Sequence, residues 1–135
     1  MKEKICQSKP STEESSINVA PSKKREKVLI RTYSAGVHYG TLVETERGAG
    51  GTHVVLENSR RIWKWSGANS LSELATIGSS NVAECNFSIP VRKIELLAIE
   101  IIYMTDKAIK DLENVPYWTF NKNEAEINES LNFKK

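Results

Sequence analysis

The cationic and aromatic side chains at residues 60–65 are the group in this sequence best suited to bind an anion. The stretch reads RRIWKW and holds two of the three tryptophans of the chain beside three positive charges. A guanidinium group pairs with phosphate or carboxylate oxygens, and an indole offers a flat face on which a nucleobase stacks. These side chains predict a binding site for a small anionic ligand such as a nucleotide, formed by Arg60, Arg61, Trp63, Lys64 and Trp65.

The turn that follows extends this candidate site. It joins a predicted strand to a predicted helix start, where backbone N–H groups attract anions. The site then gains Ser66, Gly67, Asn69 and Ser70, with Tyr33 and His38 as further contributors. A second interpretation, in which these residues only form a turn and a helix cap, remains open.

The register of the predicted strand decides what the two indoles do. Alternation in a strand places Arg61 and both tryptophans on one side, and Arg60, Ile62 and Lys64 on the other. If Ile62 faces the core, both indoles form an exposed stacking surface; in the other register they lie in the core. Because a small domain needs its large aromatic side chains inside, we expect at least one tryptophan in the core.

Motifs of known catalysis are missing from the sequence. There is no CxxC, HExxH, P-loop or GxSxG motif, and His38, His53 and Cys85 lack the spacing of metal ligands. The sequence therefore predicts a non-enzymatic binding protein without cofactor or metal. An enzyme with a composite site at a subunit interface remains open as an alternative.

The elements that must position these residues follow from hydrophobic periodicity and turn residues. We predict strands at 28–33, 37–44, 53–57, 60–65 and 96–104, a loop at 45–52, a turn at 58–59 and an edge strand at 117–120. Gly40 inside a strand predicts a bulge or a close backbone approach. The segment 96–104 also fits a helical spacing, but its β-branched residues favour a strand.

Two short helices complete the pattern. One has Ser70 as its N-cap with Glu73 in a capping box, packs through Leu71, Leu74, Ala75 and Ile77, and ends at Gly78. The other begins after Thr105, turns Ile109, Leu112 and Val115 inward, and ends at Pro116. Since strands mostly precede helices, the fold class is α+β: a small, mostly antiparallel sheet or half-open barrel with one or two short helices.

Composition divides the chain into three parts. Residues 1–26 are polar and contain no aromatic residue, which predicts a disordered arm. Residues 27–120 form one folded domain. Residues 121–135 are a polar tail that stays loose or forms a short docking helix through Ile127, Leu131 and Phe133.

Charge and cysteine content bound the partners and the compartment. The net charge of +2 does not by itself predict nucleic-acid binding, but Lys23, Lys24, Arg25 and Lys27 form a basic cluster that is either a linker or a contact to nucleic acid. No apolar run reaches the roughly 20 residues of a membrane span. With Cys6 in the arm and Cys85 in the fold, no disulfide framework is predicted, which favours a reducing cytoplasm.

Three stretches carry a resemblance to a known group of sequences. RTYSAGVHYGTL (31–42), RRIWKWSGANSLSELA (60–75) and AIEIIYMTDKA (98–108) resemble a family of small uncharacterised proteins from phages and prophages. The resemblance implies a virus-encoded cytoplasmic accessory protein that binds a host protein, a nucleic acid or a nucleotide signal of host defence.

Three functions remain open at this point. The preferred one is a homo-oligomeric binding protein that sequesters a small anionic ligand, such as a nucleotide signal of host defence. The second is a nucleic-acid-binding accessory protein that uses the basic cluster. The third is a protein–protein inhibitor of a host factor or a structural virion component.

Overall fold

The computed structural model describes residues 25–120 and 123–132. Within these ranges five strands form one sheet, together with three short α-helices and one 3-10 turn at Val82–Glu84: β1 Lys27–Thr32, β2 Val37–Gly48, β3 Gly51–Lys64, β4 Asn86–Phe87, β5 Val91–Tyr103, α1 Leu71–Thr76, α2 Asp106–Glu113 and α3 Glu124–Ser130. The strand order is β2-β1-β5-β3-β4, and every pair of neighbouring strands is antiparallel. The predicted α+β class is confirmed.

Four strands close into a ring, because β2 pairs with β3 as well as with β1. Alternate side chains of these strands meet in one buried cluster, formed by Val28, Ile30, Val54, Leu56, Leu96 and Ala98, with Leu42 of β2 packed against it. Since β1, β2, β3 and β5 all contribute, this cluster fills the inside of the ring.

The outer face of the ring is covered by α1 and α2. Leu29, Tyr39 and Ile62 point outward from the strands and pack with Leu74 of α1 and Leu112 of α2 in a second buried cluster. Both helices are capped by the residue that precedes them, at Ser70 as predicted and at Thr105. The Ser70 hydroxyl accepts a hydrogen bond from the Glu73 N–H at 3.1 Å, and the Thr105 hydroxyl accepts one from the Ala108 N–H at 3.1 Å.

Two connections differ from the prediction because β2 and β3 are longer than their periodicity suggests. The predicted loop at 45–52 is a tight hairpin, since β2 runs to Gly48 and β3 begins at Gly51. The predicted turn at 58–59 is a bulge inside β3, where Asn58 adopts φ +53°. Gly40 lies opposite this bulge, and a Cβ there would come within 3.1 Å of the Ser59 Cα. The close approach predicted at Gly40 is confirmed.

Three smaller predictions also have outcomes in the structure. The segment 96–104 lies in a strand, as favoured, although β5 begins earlier, at Val91. The predicted edge strand at 117–120 is wrong: Tyr117 forms a single parallel bridge to Phe87. Ile77 is 55% exposed rather than packed, because the chain leaves α1 at Gly78 with φ +90°.

Helix α3 lies in the polar stretch that follows residue 120. Asn123 caps it through a hydrogen bond from the Glu126 N–H, and Ile127 is its buried side chain. The proposed arm lies outside the described residues, apart from Arg25 and Glu26 at its end.

Candidate ligand-binding site

The structure settles the register of residues 60–65. Ile62 belongs to the second buried cluster, beneath α1 and α2, which we call the outer cluster, and Arg60 lies against Phe87 of the same cluster. Arg60 and Ile62 are 5% and 6% exposed, whereas Trp63 is 60% exposed. Core placement is therefore wrong for Trp63. Trp65 follows the end of β3 and packs, half-buried, against the outer cluster. The bulge at Asn58 adds one residue to β3 and so exchanges the two faces of the strand. The alternation of inward and outward side chains before the bulge therefore does not hold for residues 60–63.

Arg60 is a structural side chain in this arrangement. Its Nε–H donates to the Ser88 carbonyl at 2.7 Å, and its two Nη groups donate to the carbonyls of Val115, Phe87 and Pro116 at 3.0, 3.4 and 3.0 Å. The Phe87 and Tyr117 rings lie 5.2 and 5.1 Å from the guanidinium carbon. Because its donors are used inside the protein, Arg60 is not available to a ligand at the surface.

The Ser66–Ser70 turn is also engaged within the protein. The Ser66 N–H donates to the Cys85 Sγ at 3.3 Å, and the Ser66 carbonyl accepts from the Ser79 hydroxyl at 2.5 Å. Gly67 has φ +85°, and a Cβ there would lie 2.6 Å from the backbone nitrogens of Ser80 and Asn81.

The end of this turn is closed to an anion by a carboxylate. The Asn69 N–H donates to the Glu73 Oε1 at 3.0 Å, while Ser70 serves as the cap of α1. The structure therefore gives Ser66, Gly67, Asn69 and Ser70 the roles of turn and cap, which was the alternative left open above.

Three of the predicted residues come together at one end of the ring. His38 of β2 faces Arg61 of β3, and Ser59 of β3 faces Val91 of β5. With Trp63 they enclose a pocket of about 120 Å³, the ring-mouth pocket, which is lined by His38, Ser59, Arg61, Trp63, Ser88, Val91 and Ile94. Tyr33 and Lys64 are exposed and are not part of this lining.

Ser59 carries an unsatisfied hydroxyl group in the ring-mouth pocket. The residue is 2% exposed, and its Oγ has no hydrogen-bond partner among the described residues. A buried polar group without a partner costs free energy and calls for an explanation, such as a ligand. By contrast, the Ser88 hydroxyl accepts from the Arg61 N–H at 2.8 Å and donates to the Ile89 carbonyl at 3.0 Å.

The electrostatics of the pocket favour an anion. Arg61 is its cation, with the guanidinium carbon 5.8 Å from the centre of the Trp63 ring. Burial, followed by the charge of Arg61, lowers the pKa of His38, although a hydrogen bond with the Ala35 carbonyl opposes this shift. The His38 imidazole is therefore neutral at pH 7, and its Nε2–H donates to the Ala35 carbonyl at 2.9 Å. None of the described residues that line this pocket is acidic.

Trp118 extends the aromatic surface beyond the pocket. Its ring centre lies 5.9 Å from that of Trp63 with 63° between the planes, and Trp118 is 52% exposed. The sequence did not single out Trp118 or Ser59 as candidate site residues, because they were placed in a predicted edge strand and a predicted turn. We find no signal in the sequence that identifies either residue.

The fold and the pocket define a small antiparallel β-ring protein with a polar pocket at one end of the ring. Residues 25–112 match the model of a family described as Domain of unknown function (DUF6948), which is well over half of the chain, and the protein belongs to this family. The expected membership of an uncharacterised family is thus confirmed. No curated protein and no solved structure matches the chain significantly.

Among the residues that the structure describes, no helix is long and apolar enough to cross a membrane. The same residues contain no group of three or more His, Cys, Asp or Glu side chains that could hold a metal ion.

Proposed function

We propose that this protein is a non-enzymatic binding protein that holds a small anionic ligand in the ring-mouth pocket. The observation that carries the proposal is the Ser59 hydroxyl, which is buried, has no partner among the described residues and belongs to a residue that lines the same pocket as Arg61. In the complex the anionic group of the ligand lies between these two side chains. The hydroxyl then donates one hydrogen bond, and the guanidinium supplies charge-assisted bonds.

The surroundings strengthen this interaction. Val91 and Ile94 form apolar parts of the pocket wall, and a lower local dielectric makes a hydrogen bond to a charged group stronger than it is in water. Ligand sites are typically apolar clefts with a few polar groups that fix orientation, and the mouths of β-barrels are a common position for them. The ring-mouth pocket combines the apolar side chains of Trp63, Val91 and Ile94 with a larger share of polar groups, and it lies at an equivalent position.

The resemblance to phage proteins supplies a setting for this activity. A virus-encoded protein in the host cytoplasm that binds a nucleotide would sequester a signal of host defence without catalysing a reaction. A single chain builds the pocket, so this function does not depend on the predicted homo-oligomer.

Nucleic-acid binding through the basic cluster has less support. Arg25 pairs with Glu57 at 2.5 Å, and Lys27 pairs with Glu113 at 3.1 Å, so both cations already have carboxylate partners. Lys23 and Lys24 lie outside the described residues.

Calorimetric titration of the full chain tests the proposal. The ligands are inorganic phosphate, ribose 5-phosphate, adenosine monophosphate and a cyclic nucleotide, with circular dichroism as the check of folding. We expect Arg61→Gln to weaken binding about 10- to 150-fold, since a hydrogen bond to a charged group contributes about 1.5–3 kcal/mol. Ser59→Ala should weaken binding by about 10-fold or more, because its hydrogen bond is also made to a charged group and contributes about 1.5–3 kcal/mol.

Arg47→Gln is the matched control, because it removes the same charge near the β2–β3 hairpin at the opposite end of these strands. It should bind as the unchanged protein does. A folded protein that binds no member of the panel would contradict the proposal. Binding that Arg61→Gln leaves unchanged would contradict the assignment of the site.

A further inference from the structure

We infer that the ligand carries a flat aromatic ring beside its anionic group, as a mononucleotide does, and that this ring lies in the notch between Trp63 and Trp118. The inference rests on the proposed function and adds a second half to the same site. Trp63 belongs to both halves, because it lines the ring-mouth pocket and also contacts Trp118.

The geometry of the two indoles supplies the notch. Their ring centres are 5.9 Å apart and their planes are inclined at 63°, so the rings do not cover each other face to face. Trp63 is 60% exposed and Trp118 is 52% exposed, which leaves aromatic surface open on both. A flat ring can lie on one indole with its edge toward the other, an arrangement that aromatic rings favour.

The notch is held in place before any ligand arrives. The backbone N–H of Trp118 donates to the Phe87 carbonyl at 2.9 Å. Arg60 donates to the carbonyls of Val115 and Pro116, which precede Trp118 in the chain. Arg60 therefore fixes the segment that carries Trp118 against β3, the strand that carries Trp63. Such preorganisation lowers the entropy that a ligand loses on binding.

The charges near the notch fit one phosphate and one base better than a nucleic-acid strand. A groove that follows a phosphate backbone needs a series of available cations. Arg61 is the cation that lines the ring-mouth pocket. Lys64 is exposed but lies outside this lining, Arg25 and Lys27 are paired with carboxylates, and Arg60 is buried. We therefore assign the site to a mononucleotide.

The experiment compares adenosine monophosphate with ribose 5-phosphate by calorimetry on the full chain. The two ligands share the sugar and the phosphate and differ in the base. Stacking on an aromatic side chain contributes about 1–3 kcal/mol per base, so adenosine monophosphate should bind about 5- to 150-fold more tightly. Trp118→Ala should reduce this ratio several-fold and leave the affinity for ribose 5-phosphate unchanged.

The control variant is Phe120→Ala, which removes a fully exposed aromatic side chain two residues further along the same segment. It should leave the ratio unchanged. Equal affinity for the two ligands, or a ratio that survives Trp118→Ala, would overturn the inference and leave the proposed function intact. Failure of both ligands to bind would overturn the inference, and failure of the whole panel would overturn the proposed function as well. Tighter, strongly salt-dependent binding of a short single-stranded oligonucleotide would assign the site to nucleic acid instead.

Discussion

Replacement of Ser59 by alanine should stabilise the free protein while it weakens ligand binding. Most substitutions of buried residues destabilise a protein, typically by about 1 kcal/mol. Ser59 differs from a typical buried residue because its hydroxyl is buried and lacks a partner among the described residues. Alanine removes the group that carries the desolvation penalty and keeps the backbone of the bulge unchanged.

The magnitude follows from two opposing contributions. An unsatisfied buried hydroxyl costs about 1–3 kcal/mol, and we take a value near the lower end, about 1–1.5 kcal/mol. Loss of one oxygen atom leaves a void on the order of 20 Å³, which costs about 0.5 kcal/mol at about 24 cal/mol per Å³. The free energy of unfolding should therefore rise by about 0.5–1 kcal/mol, or about 2–8 °C in Tm for a domain of this size.

Urea unfolding followed by tryptophan fluorescence measures this change. Ser88→Ala is the matched control, because the Ser88 hydroxyl lines the same pocket but makes two hydrogen bonds. We expect the control to lose about 1 kcal/mol. If Ser59→Ala destabilises the free protein as much as Ser88→Ala does, then the Ser59 hydroxyl is satisfied in solution and the reasoning fails.

Three further predictions concern the frame of the site. Arg60→Met should lower the free energy of unfolding by on the order of 3 kcal/mol in urea, because buried carbonyls lose their donor, while the exposed Arg31→Met should change it by less than about 1 kcal/mol. Gly67→Ala should lower Tm at least twice as much as Gly36→Ala. Both glycines have positive φ, but only at Gly67 would a Cβ meet backbone atoms. Equal losses of Tm in the two variants would refute the clash at Gly67. Because burial lowers the pKa of His38 below its ordinary 6.5, the unfolded chain binds more protons. Stability that is present above pH 6.5 should therefore fall as the pH falls toward the folded-state pKa, and a pH series of urea midpoints should show a flatter slope for His38→Gln.

The fold could be predicted from the sequence where the signal is local. The N-cap at Ser70 and the β-branched run in β5 each depend on residues close in sequence, and both are confirmed, although the Glu73 carboxylate accepts from the Asn69 N–H rather than from that of Ser70. The closure of the ring could not be predicted, because it depends on the pairing of β5 with both β1 and β3, and β5 is distant from these strands in sequence. The turn predicted at Asn58 became a bulge because Gly40, distant in sequence, makes room for it.

The candidate site could be predicted only in part for the same reason. Arg61, Trp63 and His38 line the same pocket. The strand register that brings them together depends on the bulge in β3, which was predicted to be a turn. Arg60 looked equivalent to Arg61 in the sequence, but carbonyls from two distant segments take up its donors. Ser59 and Trp118 acquire their roles only from tertiary neighbours, and no local pattern marks them.

The most direct measurement of the central claim is a nuclear magnetic resonance titration of the labelled full chain with adenosine monophosphate. The account predicts that the largest shift changes occur at the amides of Ser59 and Arg61 and at the indole N–H groups of Trp63 and Trp118. Changes centred on the Ser66–Ser70 turn or on α3, with Ser59 and Arg61 unaffected, would contradict it.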